Sequence, residues 1–461
     1  MSYKFLLKWL FYLLAIASIL FLLTGCSMES RGKTYGDSLF TNRDFDEEYD
    51  TQDAVIIDFK DDSPLISIPE GTAECVRTEP MSKGENVIIE DEGTYIIEGT
   101  AKSGAITVDA HKDSKVQLVL RGVDITCAEQ SCIYVKNADK VFVTLDEDTE
   151  NILRDSNITT ETSDKGDEEE KKIDSVIYSE DDLVFQGKGK LLIEASVRDA
   201  IICDNDIKIT NGSYDIKAKH TAVTANDSIR IAGGRIRIES SADALHVEEG
   251  YFYTREAEID IKCEDDAIHS LTELTIADGK VNIEKCREGL EGHTVEIYGG
   301  TIDITSDDDS INAYGKGDIH PFVRIYGGTL SLVSQGDCLD SNGPAYIEDG
   351  DVYMFSSAED ADGAVDTIEG FTILGGDIIA VESSGITDAD IAKSNIKKLS
   401  VTMDETCKAD TPFQVKDSTG ETLYIVTPEG DYKNIFICSP KIKDGKYTIS
   451  AGQNKKDAES R

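Results

Sequence analysis

Among its ten cysteines the chain has no Cys-x-x-Cys spacing, which excludes the common zinc-ribbon arrangement. It lacks the leucine-and-asparagine phrase of leucine-rich repeats and the Gly-Gly-x-Gly-x-Asp runs of calcium-binding β-rolls, so neither architecture applies. Positive charge is scarce. Lys and Arg total 46 against 90 Asp and Glu, a formal net charge of −44. Such a chain repels DNA, RNA and anionic headgroups, which excludes nucleic acid as a partner, and it attracts divalent cations. The plain alternative is an acidic surface that keeps an extracellular protein soluble.

What is present begins with a long apolar run. Lys4 and Lys8 flank its start and "LTGC", Leu23 to Cys26, closes it. A basic start, an apolar middle and small residues at the end describe an export signal over 1–25. The closing phrase resembles the bacterial lipobox, and that resemblance implies lipidation at Cys26 and anchoring to the outer face of the cell membrane. The alternative is an uncleaved membrane anchor. Residues 26–50 are polar and acidic and read as a flexible tether. Nine cysteines remain, an odd count that cannot all pair within one chain. Cys263, Cys286 and Cys338 fall at near-equivalent points of a repeat and read as small buried hydrophobes. Cys407 with Cys438 is the first pair to test for a disulfide.

The repeat is visible in "GRIRIES", where Ile236 and Ile238 alternate with charged neighbours, the period of a strand with one buried face. The phrase returns as "GKLLIEA", "GSYDIKA", "AEIDIKC", "GKVNIEK", "GTIDITS", "GTLSLVS" and "GDVYMFS". Its second inward residues are Ile193, Ile216, Ile238, Ile261, Ile283, Ile304, Leu332 and Met354, at intervals of 23, 22, 23, 22, 21, 28 and 22. The long interval holds the turn-rich "GKGDIHP". A second strand-like phrase lies within each interval, as in "SIRIAGG" and "TVEIYGG", closing on Gly-Gly or Asn-Gly. A unit of this length cannot bury its apolar side alone, and stacked units can. The expectation is an all-β, right-handed parallel β-helix over 51–395, with like residues stacked about 4.8 Å apart. A β-propeller needs about twice the period. Residues 155–174 are charged and poor in large apolar residues, and read as a mobile loop. Over 396–461 the pattern changes to antiparallel hairpins, a small β module placed to cap the open end.

Between the two phrases sits an acidic cluster with its own apolar step: "DALH", "DAIH", "EGLE", "DSIN", "DCLD". Aligned on that step, Asp243, Asp266, Glu288, Asp309 and Asp337 form one column. His246, His269, Glu291, Asn312 and Asp340 form a second, with Asp366 a candidate to extend it. Asp265 and Asp308 flank the first. Carboxylates roughly 5 Å apart repel by about 3 kcal/mol at an effective dielectric of about 20. A ladder of them needs protons, water or a bound cation. Carboxylates with an amide oxygen favour Ca²⁺, while His246 and His269 suit Zn²⁺ or Ni²⁺ better. The alternative is that these acids accept hydrogen bonds from turn N–H groups.

The phrases "SVIYSEDDLVFQGKGKLLIEA", "REGLEGHTVEIYGGTIDITSDDDSINA" and "GDCLDSNGPAYIEDGDVYM", with the C-terminal "VKDSTGETLYIVTPEGDYKNIFICSPKIKDGKYTIS", resemble the bacterial carbohydrate-binding β-helix proteins of clostridia and their relatives. The resemblance spans about residues 50 to 452. It implies a pectate-lyase-like β-helix with bound calcium that binds cellulose or an acidic polysaccharide such as polygalacturonate. The chain departs from that pattern at Thr221-Ala222, Asp243-Ala244 and Asp266-Ala267, where the family commonly has Asp-Gly, and at His246, where it often has lysine.

Three functions follow for comparison. A polysaccharide binder would need cations to bridge an acidic face to a polyuronate, or exposed aromatics for a neutral glucan. Tyr251, Phe252, Tyr253, Tyr298, Tyr314, Tyr326, Tyr346 and Tyr353 are the candidates for such stacking, against the alternative of sheet packing. A calcium-dependent lyase would need a basic residue as general base, and Arg287, Arg255, Lys285 and Lys316 are the nearest options. A structural or adhesion protein would use calcium only to stiffen the stack.

Overall fold

A computed structural model of the chain describes residues 38–61, 63–72, 75–156, 175–315, 320–358, 363–383 and 393–461. The export signal, Cys26, Lys316 and the body of the 155–174 loop lie outside the described residues.

The alternating phrases form the strands expected of them. Lys190–Ala195, Ser213–Ala218, Arg235–Ser240, Glu258–Lys262, Lys280–Cys286, Thr301–Ser306, Thr329–Ser334, Asp351–Ser356 and Asp377–Glu382 pair in parallel, each with the next. The register stacks Ile193 on Ile216, then Ile238, Ile261, Ile283, Ile304, Leu332 and Met354, and carries the ladder one rung further to Ala380. All are buried. Truncating any of the isoleucines, Leu332 or Met354 to alanine leaves a hole that its neighbours cannot fill, at a cost of about 2–5 kcal/mol.

Two further parallel sheets complete each turn. One is made of the short apolar steps, such as Leu245–Val247, Ile311–Ala313 and Leu339–Ser341. The other is made of the phrases that close on glycine, such as Ser228–Ile231, Tyr251–Thr254 and Phe322–Ile325. The result is a β-solenoid of about 12 turns. Glycine is required where the turns stack closely. Gly328 has φ +103°, and a Cβ there would lie 2.9 Å from the carbonyl oxygen of Gly300 one turn below.

Beyond residue 396 the strands turn antiparallel. Tyr432–Cys438 pairs with both Asp377–Glu382 and Lys398–Cys407, so it covers the edge of the last turn. Phe413–Asp417, Thr422–Val426, Lys446–Ala451 and Asn454–Glu459 form a separate four-stranded sheet.

Two expectations are corrected. Cys407 and Cys438 are not bonded; both are free and buried, as are the other seven described cysteines. Their thiols serve as small core groups, which is the role read for Cys263, Cys286 and Cys338. Residues 38–50, the described part of the segment read as a tether, are docked across the third sheet. Phe40 packs with Ala232, Tyr253 and Ala277, where the two alanines leave room for its ring. Asp44 is fully buried, 3.0 Å from Lys208 and 3.5 Å from Lys140. The Arg43 guanidinium lies 4.4 Å over Phe142, and the Tyr49 hydroxyl donates to Asp146 at 2.7 Å. Among the described residues the sole helical element is the 3₁₀ turn Asn42–Phe45 in this strap.

Candidate functional site: a column of acids on one face

The short-step sheet exposes alternate residues on its outer side. In the second column His246 pairs in register with His269, His269 with Glu291, Glu291 with Asn312, Asn312 with Asp340, and Asp340 with Asp366. The first column is linked through the backbone: the amides of Ala244, Ala267, Gly289 and Ser310 donate to the carbonyls of Asp266, Glu288, Asp309 and Asp337. Both columns therefore stand as aligned from the sequence, because the inward Leu, Ile or Cys-Leu step fixes which neighbours face out.

Part of the first column does turn chemistry. An Asp243 carboxylate oxygen accepts from the Asp266 amide at 3.1 Å, Asp309 accepts from Asp337 at 2.8 Å, and Asp337 accepts from Gly363 at 2.6 Å. Each of these acids thus uses one oxygen to tie its turn to the next.

The rest of the cluster is crowded with like charge. Asp266, Glu288 and Glu291 offer oxygens that all lie within 4.8 Å of one another, as do Asp243, Asp265 and Asp266. Asp266 and Glu288 are buried at 7% exposure each. Burial, then the hydrogen bond to Asp266 and the charge of Glu288, push the Glu291 carboxyl well above the carboxylate range. Asp266 is also raised, by burial first and by Glu288 and Asp243. Higher in the column burial, with the charges of Asp337, Asp340 and Asp308, pushes Asp309 up to about 8.

Protein cations answer part of this charge. Arg287 Nε donates to Asp265 at 2.6 Å, Nη2 to Asp266 at 2.7 Å, and Nη1 to Glu288. His246 Nδ1 lies 2.6 Å from Asp243, and this bond raises the pKa of His246. Burial and the neighbouring His246 lower that of His269 to about 4, so it is neutral at pH 7. Its ring bridges His246, 3.1 Å away, and the Tyr314 hydroxyl, 3.0 Å away. The two ring nitrogens thus face each other and are already engaged.

An unsatisfied oxygen points to what the cluster accommodates. Asn312 donates its amide N–H to Glu288 at 2.9 Å, while its buried Oδ1 has no hydrogen-bond partner. A buried carbonyl oxygen left unpaired is costly. A hard cation between Asn312, Glu288 and Glu291 would satisfy it, with the amide turned over if needed. Asp266, Glu288, Glu291 and Asn312 therefore fit an oxygen-liganded divalent ion.

The other candidates separate. Asp366 is exposed at the far end of the second column. Tyr298 and Tyr326 stack on each other at 4.4 Å, and both hydroxyls turn to Glu296. Phe252 and Tyr253 are fully buried. Arg324 lies 4.4 Å over Tyr346. Burial removes Phe252 and Tyr253 from any sugar contact, while Tyr298, Tyr326 and Tyr346 are half-buried and held by one another or by Arg324. Of the basic residues that could act as a general base, Arg287 is held by Asp265, Asp266 and Glu288 with Asp308 at 3.7 Å, Lys285 is bonded to Glu264 at 2.6 Å, and Arg255 lies over Phe40 beneath the strap. The sequence signal for Arg287's role was its place directly before Glu288.

A family model described as "carbohydrate-binding domain-containing protein" matches residues 83–363 and 273–423. A curated protein of the same description from Acetivibrio thermocellus is 37% identical over 132 residues, which is 29% of this chain and 45% of the relative. The chain thus spans less than half the length of that relative. A solved polysaccharide lyase-like protein from C. thermocellum, a gadolinium derivative, aligns with a TM-score of 0.37 and 23% identity, covering 69% of this chain and 96% of its own.

Proposed function

The chain belongs to the carbohydrate-binding domain-containing protein family, and from that premise we propose that it binds an acidic polysaccharide, polygalacturonate in type, through calcium held on the acid column. It does so at the outer face of the bacterial membrane, anchored by lipid at Cys26; the basic start, apolar run and Leu-Thr-Gly-Cys phrase support the anchor.

The observation that carries the reading is the convergence of Asp266, Glu288 and Glu291, whose oxygens lie within 4.8 Å of one another, beside Asn312, which donates to Glu288 and keeps a buried, unpaired amide oxygen. Calcium there would take these four side chains and leave positions for ligand oxygens, since Ca²⁺ accepts six to eight. The Asp243, His246 and His269 end is less suited, because both histidines are tied to neighbours. What calcium supplies is a positive contact for polymer carboxylates on a face that otherwise repels them. Asp266, Glu288, Glu291 and Asn312 would hold the ion, and the stacked turns align the side chains of the column along one line.

The test is calorimetric titration of the chelator-stripped full chain with Ca²⁺, with polymer retention measured beside it. Saturable binding is expected, weakened roughly tenfold or more by Glu291→Ala, the loss of about 1.4 kcal/mol or more. Polygalacturonate retention should vanish in chelator while the circular dichroism of the sheet persists. Absence of binding at millimolar calcium would sink the reading.

A further inference from the structure

A groove of about 570 Å³ runs beside the lower end of the acid column, lined by residues of four successive turns. Its charged side chains are Glu194, Lys217, Lys219, Glu239, Lys262 and Glu264. In register, Glu194 pairs with Lys217, Lys217 with Glu239, and Glu239 with Lys262, so the charges rise one per turn along the outer side of the first sheet.

The acids and bases of this groove are not equivalent. Glu194 is bonded to Arg154 at 2.7 Å and Glu264 to Lys285 at 2.6 Å, and neither of those cations lines the groove. Lys217, Lys219 and Lys262 are exposed and form no salt bridge among the described residues. Three ammonium groups thus face Glu239, which has no salt bridge of its own among the described residues, and two glutamates already bonded from outside the groove, with Lys262 also acting on Glu264. The lining itself holds three bases and three acids; with Arg154 and Lys285 behind them, and Asp124 sharing Arg154, five cations meet four acids in and beside the groove, a local excess that favours a negatively charged occupant in a chain of net charge −44. Lys217 and Lys262 stand two turns apart, roughly 10 Å by the parallel-strand spacing, an arrangement that suits an extended polymer lying along the stack. The groove also adjoins the column. Ser241 in its wall is two residues before Asp243, and Glu264 directly precedes Asp265.

We propose that this groove is a subsite for the anionic groups of the bound polysaccharide, met by Lys217, Lys219 and Lys262. The inference rests on the polysaccharide reading above and adds to it a calcium-independent contact. A polymer crossing from the column into the groove would have some carboxylates bridged by the ion and others paired with lysine. The same three cations would accept sulfate esters, so the shared chemistry is a polyanionic glycan.

The test is affinity electrophoresis of the full chain in gels holding polygalacturonate, its fully methyl-esterified form or dextran sulfate, at fixed calcium. The Lys217→Gln, Lys219→Gln, Lys262→Gln triple variant is compared with the corresponding triple Lys→Arg variant. Polygalacturonate retention should fall roughly tenfold in the glutamine variant, the sum of three exposed charge contacts, and be kept in the arginine variant. The calcium titration should be unchanged in both. The esterified polymer should be held weakly by all three proteins. Lysine-dependent retention of dextran sulfate alone would support the subsite and assign it to sulfated glycans. Equal retention of wild type and glutamine variant by every polymer would overturn the subsite and leave the calcium reading standing. Failure of the wild type to be retained by any polyanion would overturn both.

Discussion

Residues 38–50 and the acid column occupy different faces of one solenoid and meet the problem of buried charge in opposite ways. Under the strap, Asp44 lies between Lys208 and Lys140, and its backbone carbonyl accepts from Thr210 at 2.8 Å. On the column, Asp266, Glu288 and Glu291 face one another, with Arg287 at one side. The strap is closed by charges the chain itself provides. The column is only partly closed, and the remainder is left for protons or an external cation. The contrast teaches where stability ends and binding begins: a satisfied set holds the chain together, and an unsatisfied one invites a partner.

The largest expected effect falls on the closed face. Asp44→Ala removes the acid that neutralises Lys208, a residue at 6% side-chain exposure. Breaking a buried pair from one side costs about 3–5 kcal/mol. The loss should be the same in calcium and in chelator, since the strap lies away from the column. Thermal melts in both conditions check it. A calcium-dependent loss would mean that the two faces are coupled and the contrast is false.

A smaller effect is expected at the boundary between the two solutions. Arg287 binds Asp265, Asp266 and Glu288 but is 42% exposed, so screening leaves about 1 kcal/mol of stabilisation. Arg287→Gln should lower the melting temperature in chelator and be restored by calcium. Its calcium affinity should rise a few-fold, because ion and guanidinium compete for the same oxygens. A fall in affinity would show instead that Arg287 positions the ligands.

Much of this was legible in the sequence, and the reason is periodicity. The ladder from Ile193 to Met354 could be read because the alternation and the interval repeat, and stacking copies each residue onto its counterpart. The columns followed, being fixed to the inward step. The strap could not be read. Its burial depends on Phe40 and Asp44 meeting partners far along the chain, and nothing in a polar, acidic stretch announces Ala232, Ala277 or Lys208. The thiols of Cys407 and Cys438 misled for a related reason. Cysteine serves equally as a core group or a bridge, and only the register separates the uses. Register alone also showed that Lys217 and Lys262 share a groove.

Acid should separate the two faces by the sign of their response. Burial would raise Asp44, but the Thr41 amide and the Lys208 and Lys140 charges outweigh it and hold its pKa below the ordinary 3.8. Its stabilisation is therefore complete above pH 3.8 and lost as the pH falls through the depressed value. Asp309 behaves in the opposite sense. Raised to about 8 by burial and by its neighbouring acids, it favours the folded state while protonated, and that contribution drains away as the pH rises from 3.8 to about 8. In chelator, stability should then climb on leaving strong acid and decline again toward pH 8. Asp309→Asn cannot ionise and should make the upper decline shallower, the remainder belonging to Asp266 and Glu291, and calcium should flatten it in the wild type by taking the protons' place. Melting curves from pH 3 to pH 8 measure all three. An unchanged upper limb in Asp309→Asn would remove Asp309 from the charged cluster and leave the proposed cation site resting on Asp266, Glu288 and Glu291.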